Sequence, residues 1–125
     1  MITYDDFAKV EIRAGKILSA EKIPDTDKLL KLMVDLGEIV PAVIKDGVVV
    51  TPQQSKPRQI VSGIAPHFPD PQTLVGKTCM FVANLEPRTI RGFESNGMLF
   101  AVSTPEGAFS LLEPASIIPA GTLAK

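Results

Sequence analysis

The stretch Val10-Glu11-Ile12-Arg13-Ala14-Gly15-Lys16-Ile17-Leu18-Ser19-Ala20-Glu21-Lys22-Ile23 decides the fold class. Val10, Ile12 and Ala14 alternate with Glu11 and Arg13, the period of a strand with one buried face, and the alternation slips at Gly15. A glycine at such a slip predicts a bulge in one long, bent strand, and bends of that kind let a sheet curl into a barrel. Ahead of it, Thr3 followed by Tyr4, Asp5, Asp6 and Phe7 predicts a short opening helix. The threonine hydroxyl caps it, and the carboxylates meet the positive end of its dipole.

Working outward, Pro24-Asp25-Thr26-Asp27 reads as a turn, and Leu30, Leu32, Val34 and Leu36 then share one face of a second strand. Segments 39–44 and 48–51 flank Lys45-Asp46-Gly47, whose Asp-Gly pair suits a tight hairpin turn; a β-hairpin arm is expected over 39–57. A third main strand is expected over 59–64. Asp70-Pro71, with Gly76 beyond Leu74-Val75, reads as a capped helical turn. Further strands are expected over 78–83, 97–103, 108–112 and 116–118. Eleven prolines and nine glycines punctuate these short segments. The class is all-β, and the order fits a five-stranded Greek-key oligonucleotide-binding (OB) barrel with short helices and a C-terminal extension, among other small barrels.

A chain of 125 residues, 45% hydrophobic and 22% charged, has room for one core, so a single domain over 1–125 is expected. No apolar run reaches the length of a membrane span and the N-terminus has no signal-peptide pattern, which points to a cytoplasmic protein. Cys79 and His67 are the only residues of their kinds, so no soft ligand set for a metal exists and no cofactor motif is present. Catalytic spacings are absent too. His67 lies among prolines and phenylalanine as a surface or packing residue, and Cys79 in an apolar strand as a small buried side chain. With a net charge of −1, any contact with nucleic acid must be made by a local patch.

That patch is sought in Val82-Ala83-Asn84-Leu85-Glu86-Pro87-Arg88-Thr89-Ile90-Arg91-Gly92-Phe93-Glu94-Ser95-Asn96-Gly97-Met98-Leu99. It reads as a strand end, a proline turn, a loop carrying Arg88 and Arg91, and entry into the next strand. Arginine matches phosphate with two parallel hydrogen bonds, and Asn84, Ser95 and Asn96 can bond sugars or base edges. Read bare, the same run is equally an ordinary loop with solvated arginines.

The run VANLEPRTIRGFESNGM, with DTDKLLKLMVDLG upstream and RQIVSGIA between, resembles the tRNA-binding domain family from about Tyr4 to Thr122. That family includes the C-terminal domain of many methionyl-tRNA synthetases, free-standing tRNA-binding proteins, the CsaA chaperones and the cytokine-like domain of endothelial monocyte-activating polypeptide. Asp27, Lys28 and Leu29 match its D-K-L motif, and Ser62 and Gly63 its S-G-I motif. Asn84, Pro87, Arg88, Gly92, Ser95, Gly97 and Met98 match N-L-x-P-R and G-x-x-S-x-G-M. The resemblance implies an OB barrel, no catalysis, recognition of tRNA by shape, and Lys28, Asn84, Arg88, Ser95 and Met98 at or near the RNA surface, to which the cationic-loop reading adds Arg91 as a tRNA-binding candidate. It also implies a homodimer in free-standing members. Glu86 and Thr89 stand where lysine is frequent, and the 39–57 segment is longer than the usual connection.

Three readings are open at this point: a tRNA-binding module, free-standing or attached to a methionyl-tRNA synthetase; a CsaA-like export chaperone that binds polypeptide; and a dimerisation domain with a decayed RNA site. Met1 ahead of the opening helix favours the free-standing form. The tail residues Phe109, Leu111, Leu112, Ile117, Ile118 and Leu123 carry apolar surface beyond five barrel strands. They either fold back or pair with a second copy through the N-terminal helix and C-terminal strands.

Overall fold

A computed structural model describes residues 1–125. The opening helix is α1 (Tyr4–Ala8). The strands in chain order are β1 (Ile12–Lys22), β2 (Leu30–Asp35), β3 (Ile39–Val40), β4 (Val43–Lys45), β5 (Val48–Thr51), β6 (Gln54–Ser55) and β7 (Arg58–Ser62), followed after two 3₁₀ turns by β8 (Thr78–Val82). Beyond it come β9 (Arg88–Ile90), β10 (Phe93–Ser95), β11 (Met98–Leu99), β12 (Ala101–Ser103) and β13 (Phe109–Leu111). Five of them form the main antiparallel sheet in the order β11-β8-β1-β2-β7, which curls into a nearly closed barrel.

The long strand is the hub. Its first half, Ile12 to Lys16, pairs with β8, and its second half, Lys16 to Lys22, pairs with β2. The expected bend is there, but the slip is not at Gly15, which stays in register opposite Cys79. The register shifts between Ile17 and Ser19, leaving Leu18 unpaired with β2 and exposed. Gly15 has a different task. A Cβ there would lie 2.7 Å from Val34 Cγ1 and 2.8 Å from both Leu36 Cδ2 and Phe81 Cδ2, so the missing side chain is what lets β2 and β8 side chains close over β1.

Alternation on β2 buries Leu30, Leu32 and Val34 completely, and Ile17, Ile60, Leu74, Cys79 and Phe81 complete the centre of the core. Burial pushes the Cys79 thiol up to about 11, as suits a packing residue with no use as a nucleophile. The α1 cap is a full capping box, with Asp6 N donating to Thr3 Oγ1 and Thr3 N to Asp6 Oδ2, each at 3.2 Å.

Three expected elements differ. The helical turn between the third and fourth main strands is a pair of 3₁₀ turns, Ala65–His67 and Pro71–Leu74, because prolines within and between them leave too few amide donors for a longer helix. The strand expected over 97–103 divides at Phe100, giving β11 to the barrel and β12 to a separate hairpin with β13. The strand expected over 116–118 does not form. The tail instead runs beside β1 on single bonds, Ala14 N to Thr122 O at 2.9 Å and Ala124 N to Ile12 O at 2.7 Å, because prolines 114 and 119 interrupt any ladder.

Segment 39–55 forms a ribbon in which β3 pairs with β6 and β4 with β5. Asp46 and Gly47 both take positive φ, 53° and 74°, as the Asp-Gly turn requires. Every residue from Ile39 to Val50 is exposed, Ile44 at 62% and Val48 at 63% among them. The root of the ribbon is clamped by Arg58, whose guanidinium forks onto Glu38 at 2.6 and 3.0 Å. That contact holds the Glu38 carboxyl below its usual range.

Gly15→Ala is expected to lower stability by about 1–3 kcal/mol, the cost of overpacking a filled core. A urea melt with an unchanged midpoint would show that the three facing side chains can give way.

Candidate nucleic-acid interface

The barrel's β8 ends at Val82, and the chain does not re-enter the sheet until Met98. The excursion between them is better ordered than a cationic loop. β9 and β10 form a hairpin in which Arg88 faces Ser95, Thr89 faces Glu94 and Ile90 faces Phe93. Arg91 and Gly92 make its turn, with φ of 51° and 85°. The sequence signal was the Arg-Gly pair between two short alternating segments, but arginine is a rare occupant of a left-handed position, which costs about 1–2 kcal/mol. Arg91 therefore sits at the hairpin tip, exposed.

Side-chain bonds of Ser95, Arg58 and Gln59 and one backbone bond anchor the hairpin and the segment after it to β7. Val61 N donates to Ser95 Oγ at 3.0 Å, and Ser95 Oγ donates to Gly97 O at 3.2 Å. Arg58 donates to the carbonyls of Ala83 and Asn96, Gln59 Nε2 to Glu94 O at 2.9 Å, and Asn96 N to Gln59 O at 2.9 Å. Ser95 is the one polar residue among the buried set, at 5% exposure. Ser95, expected at or near the RNA surface, is seated in the barrel seam with its hydroxyl engaged on both sides. Asn84 is exposed, yet its amide is also committed: Oδ1 accepts from Glu11 N at 2.8 Å and Nδ2 donates to Lys9 O at 2.6 Å, tying the end of α1 to the end of β8.

The remaining expected residues fall into two neighbouring clefts. One, of about 530 Å³, is lined by Val61, Leu85, Glu86, Arg88, Ile90, Ser95, Gly97 and Met98. The other, of about 440 Å³, lies where loop 23–29 meets the hairpin tip and brings Lys28 together with Arg91, beside Asp25 and Asp27. Lys28, Arg88, Arg91 and Met98 are all exposed. The ion pairs of the protein use Lys9, Arg13, Lys31, Arg58 and Lys77, so Lys28, Arg88 and Arg91 are among the cations left free. In OB barrels, the loops joining strands one to two and four to five flank the surface that takes oligonucleotides, and these two loops correspond to them.

Three residues at this end escaped the sequence reading. Lys31 lies 5.3 Å from the centre of the Phe93 ring and 3.6 Å from Glu21; its polar place in the β2 alternation was its only signal. Leu85 is 48% exposed on the first cleft, and Arg58 knits the seam. Away from the site, His67 is exposed and stacks on Phe109 with ring centres 3.9 Å apart. No group of three His, Cys, Asp or Glu side chains is close enough to hold a metal ion.

A small, nearly closed β-barrel with unpaired cations gathered on two loops at one end defines the class. The chain belongs to the family described as putative tRNA binding domain, whose model matches residues 12–123. It is 48% identical over 103 residues to the methionine–tRNA ligase of Methanocella arvoryzae, covering 82% of this chain and 13% of that protein. It is 45% identical over 121 residues to that of Methanospirillum hungatei, covering 97% of this chain and 15% of that protein. The chain therefore spans only about a seventh of the length of such relatives. Among solved structures, a MetRS related protein from Pyrococcus horikoshii superposes with a TM-score of 0.80 at 34% identity, over 100% of this chain and 98% of that one. The chaperone CsaA of Bacillus anthracis superposes at 0.76 with 24% identity, over 100% and 99%, a likeness of fold. No helix is long and apolar enough to cross a membrane.

Ser95→Ala leaves the buried Val61 amide without its acceptor and is expected to cost about 1–3 kcal/mol. Thermal unfolding that stays at the wild-type midpoint would return Ser95 to the surface role first expected of it.

Proposed function

We propose that this chain is a non-catalytic tRNA-binding module that recognises folded RNA through its phosphates. It acts free-standing or as the C-terminal domain or beta subunit of a methionyl-tRNA synthetase. The observation that carries the reading is the meeting of Lys28 and Arg91 across two loops, with Arg88 on the same hairpin and all three free of ion pairs. The family match and the synthetase relatives support it. Such a protein works in the cytoplasm. With a net charge of −1 and Asp25, Asp27 and Glu86 close by, attraction is confined to the loop face, so affinity is modest and steep in salt.

The module is a homodimer in this reading, joined through α1 and the C-terminal segment. Support comes from apolar surface that the protomer leaves open. α1 buries no residue, with Tyr4 73% exposed, and Ile117 is fully exposed on the tail. Part of the tail does fold back, since Leu111 joins the core and Phe109 packs against it. A second reading, polypeptide binding, is favoured by one observation: the ribbon of 39–55 offers exposed Ile44, Val48, Val49 and Val50 on unpaired strand edges.

Arg88→Ala is expected to weaken binding of bulk tRNA and to reduce the slope of log K against log salt by about 0.7 to 0.9, one phosphate contact. Gel shifts over a salt series measure it, and an unchanged slope removes Arg88 from the interface. Wild-type binding to poly-U as tight as to folded tRNA would contradict recognition by shape. Light scattering over a dilution series should report twice the chain mass at micromolar concentration; the mass of a single chain excludes the dimer.

A further inference from the structure

The cleft beneath the hairpin has a make-up that phosphate binding does not call for. Its apolar lining consists of Leu85 and Met98, 48% and 45% exposed, with Val61 buried and Ile90 half-buried. Glu86 and Arg88 line the same cleft, and neither enters an ion pair. A free carboxylate on a face turned to RNA phosphates is repelled by them unless the ligand also brings hydrogen-bond donors. At about 530 Å³ the cleft lies within the range of small-ligand sites.

We propose that this cleft takes one unstacked guanine of the bound RNA, resting on the tRNA-binding reading above. The base lies between Leu85 and Met98, Glu86 accepts from its Watson–Crick edge, and Arg88 meets a flanking phosphate. Apolar side chains sandwiching an extruded base while polar groups read its Watson–Crick edge is an established mode of recognition. The choice of base follows from Glu86. An ionised carboxylate only accepts hydrogen bonds. Guanine alone presents two adjacent donors on that edge, N1–H and the 2-amino group. Adenine and cytosine set a ring nitrogen lone pair beside their amino group, and uracil places its single N–H between two carbonyl oxygens, so each turns at least one acceptor toward the carboxylate. Arg88 stays with phosphate, which its planar fork fits.

The test uses the full chain with ¹³C-labelled methionine methyls, titrated with GMP, IMP, AMP, CMP and UMP and followed at the Met98 methyl signal. GMP is expected to shift that signal saturably, with IMP, which lacks the 2-amino group, about tenfold weaker and the other three weaker still. Glu86→Gln, which puts a donor where the second acceptor stood, should abolish the preference for GMP while the remaining methyl signals keep their folded positions. Added tRNA should displace GMP. Equal responses to all five nucleotides, no response at Met98, or a GMP preference that survives Glu86→Gln would each overturn the guanine site. GMP that tRNA fails to displace would assign the cleft to a free nucleotide instead. Gel shifts on the same sample keep the two readings apart: tRNA bound without a GMP response sinks the guanine alone, whereas a GMP response without tRNA binding sinks the RNA reading.

Discussion

The seam between β7 and the β10–β11 segment is the constraint on which the rest of the molecule depends. From β8 through β1 and β2 to β7, backbone ladders hold neighbouring strands together over five or more residue pairs, and β11 joins β8 over two. At this seam a serine hydroxyl, a glutamine amide, an arginine and a single backbone bond do the joining. A side-chain seam is narrower in its tolerance than a ladder: each bond needs one residue type at one position, and each buried donor left without its acceptor costs as much as a full desolvated amide. Gly97, with φ of 150° and Val82 O only 3.1 Å from where a Cβ would stand, belongs to the same constraint.

The binding face is a consequence of that closure. Because Ser95 and Asn96 are drawn down onto β7, the hairpin before them is held upright beside loop 23–29, and its tip delivers Arg91 to Lys28. Asn84 does the equivalent at the other end of the excursion by pinning it to the α1–β1 junction. Ser95 and Asn84 thus help to frame the site, and the three cations they frame, Lys28, Arg88 and Arg91, enter no ion pair. The backbone strain at Arg91 fits this division, since strained positions persist where surrounding bonds over-determine them.

The apolar ribbon of 39–55 and the open face of α1 lie outside that frame. An isolated two-stranded ribbon has little stability of its own in water, and this one is secured at its root by the Glu38–Arg58 fork and by Lys56 N on Glu38 O at 2.9 Å. Arg58 therefore links the ribbon to the barrel seam: one guanidinium touches the ribbon root, the end of β8 and the approach to β11. A partner bound on the ribbon would pull on the same side chain that helps to close the barrel.

Local pattern was enough for most of the scaffold. Period-two alternation placed β1, β2, β7 and β8 within a residue or two, the Thr3 cap placed α1, and the Asp46-Gly47 pair placed the ribbon turn, because each rests on propensities expressed over a few neighbouring residues. The cations Lys28, Arg88 and Arg91 were legible for the same reason: their chemistry travels with the residue. What a given residue touches was not. Gly15 looked like a bulge and is a point of close packing, since the crowding comes from Val34 and Phe81, far along the chain. Ser95 and Asn84, expected as RNA contacts, also brace the fold, and that second task was hidden because their partners are backbone groups 34 and 73 positions away. Composition and spacing determined a small β-barrel with a cationic loop; tertiary structure decided which polar side chains hold it shut and which remain free to bind, because hydrogen-bond partners are allotted only when distant strands meet.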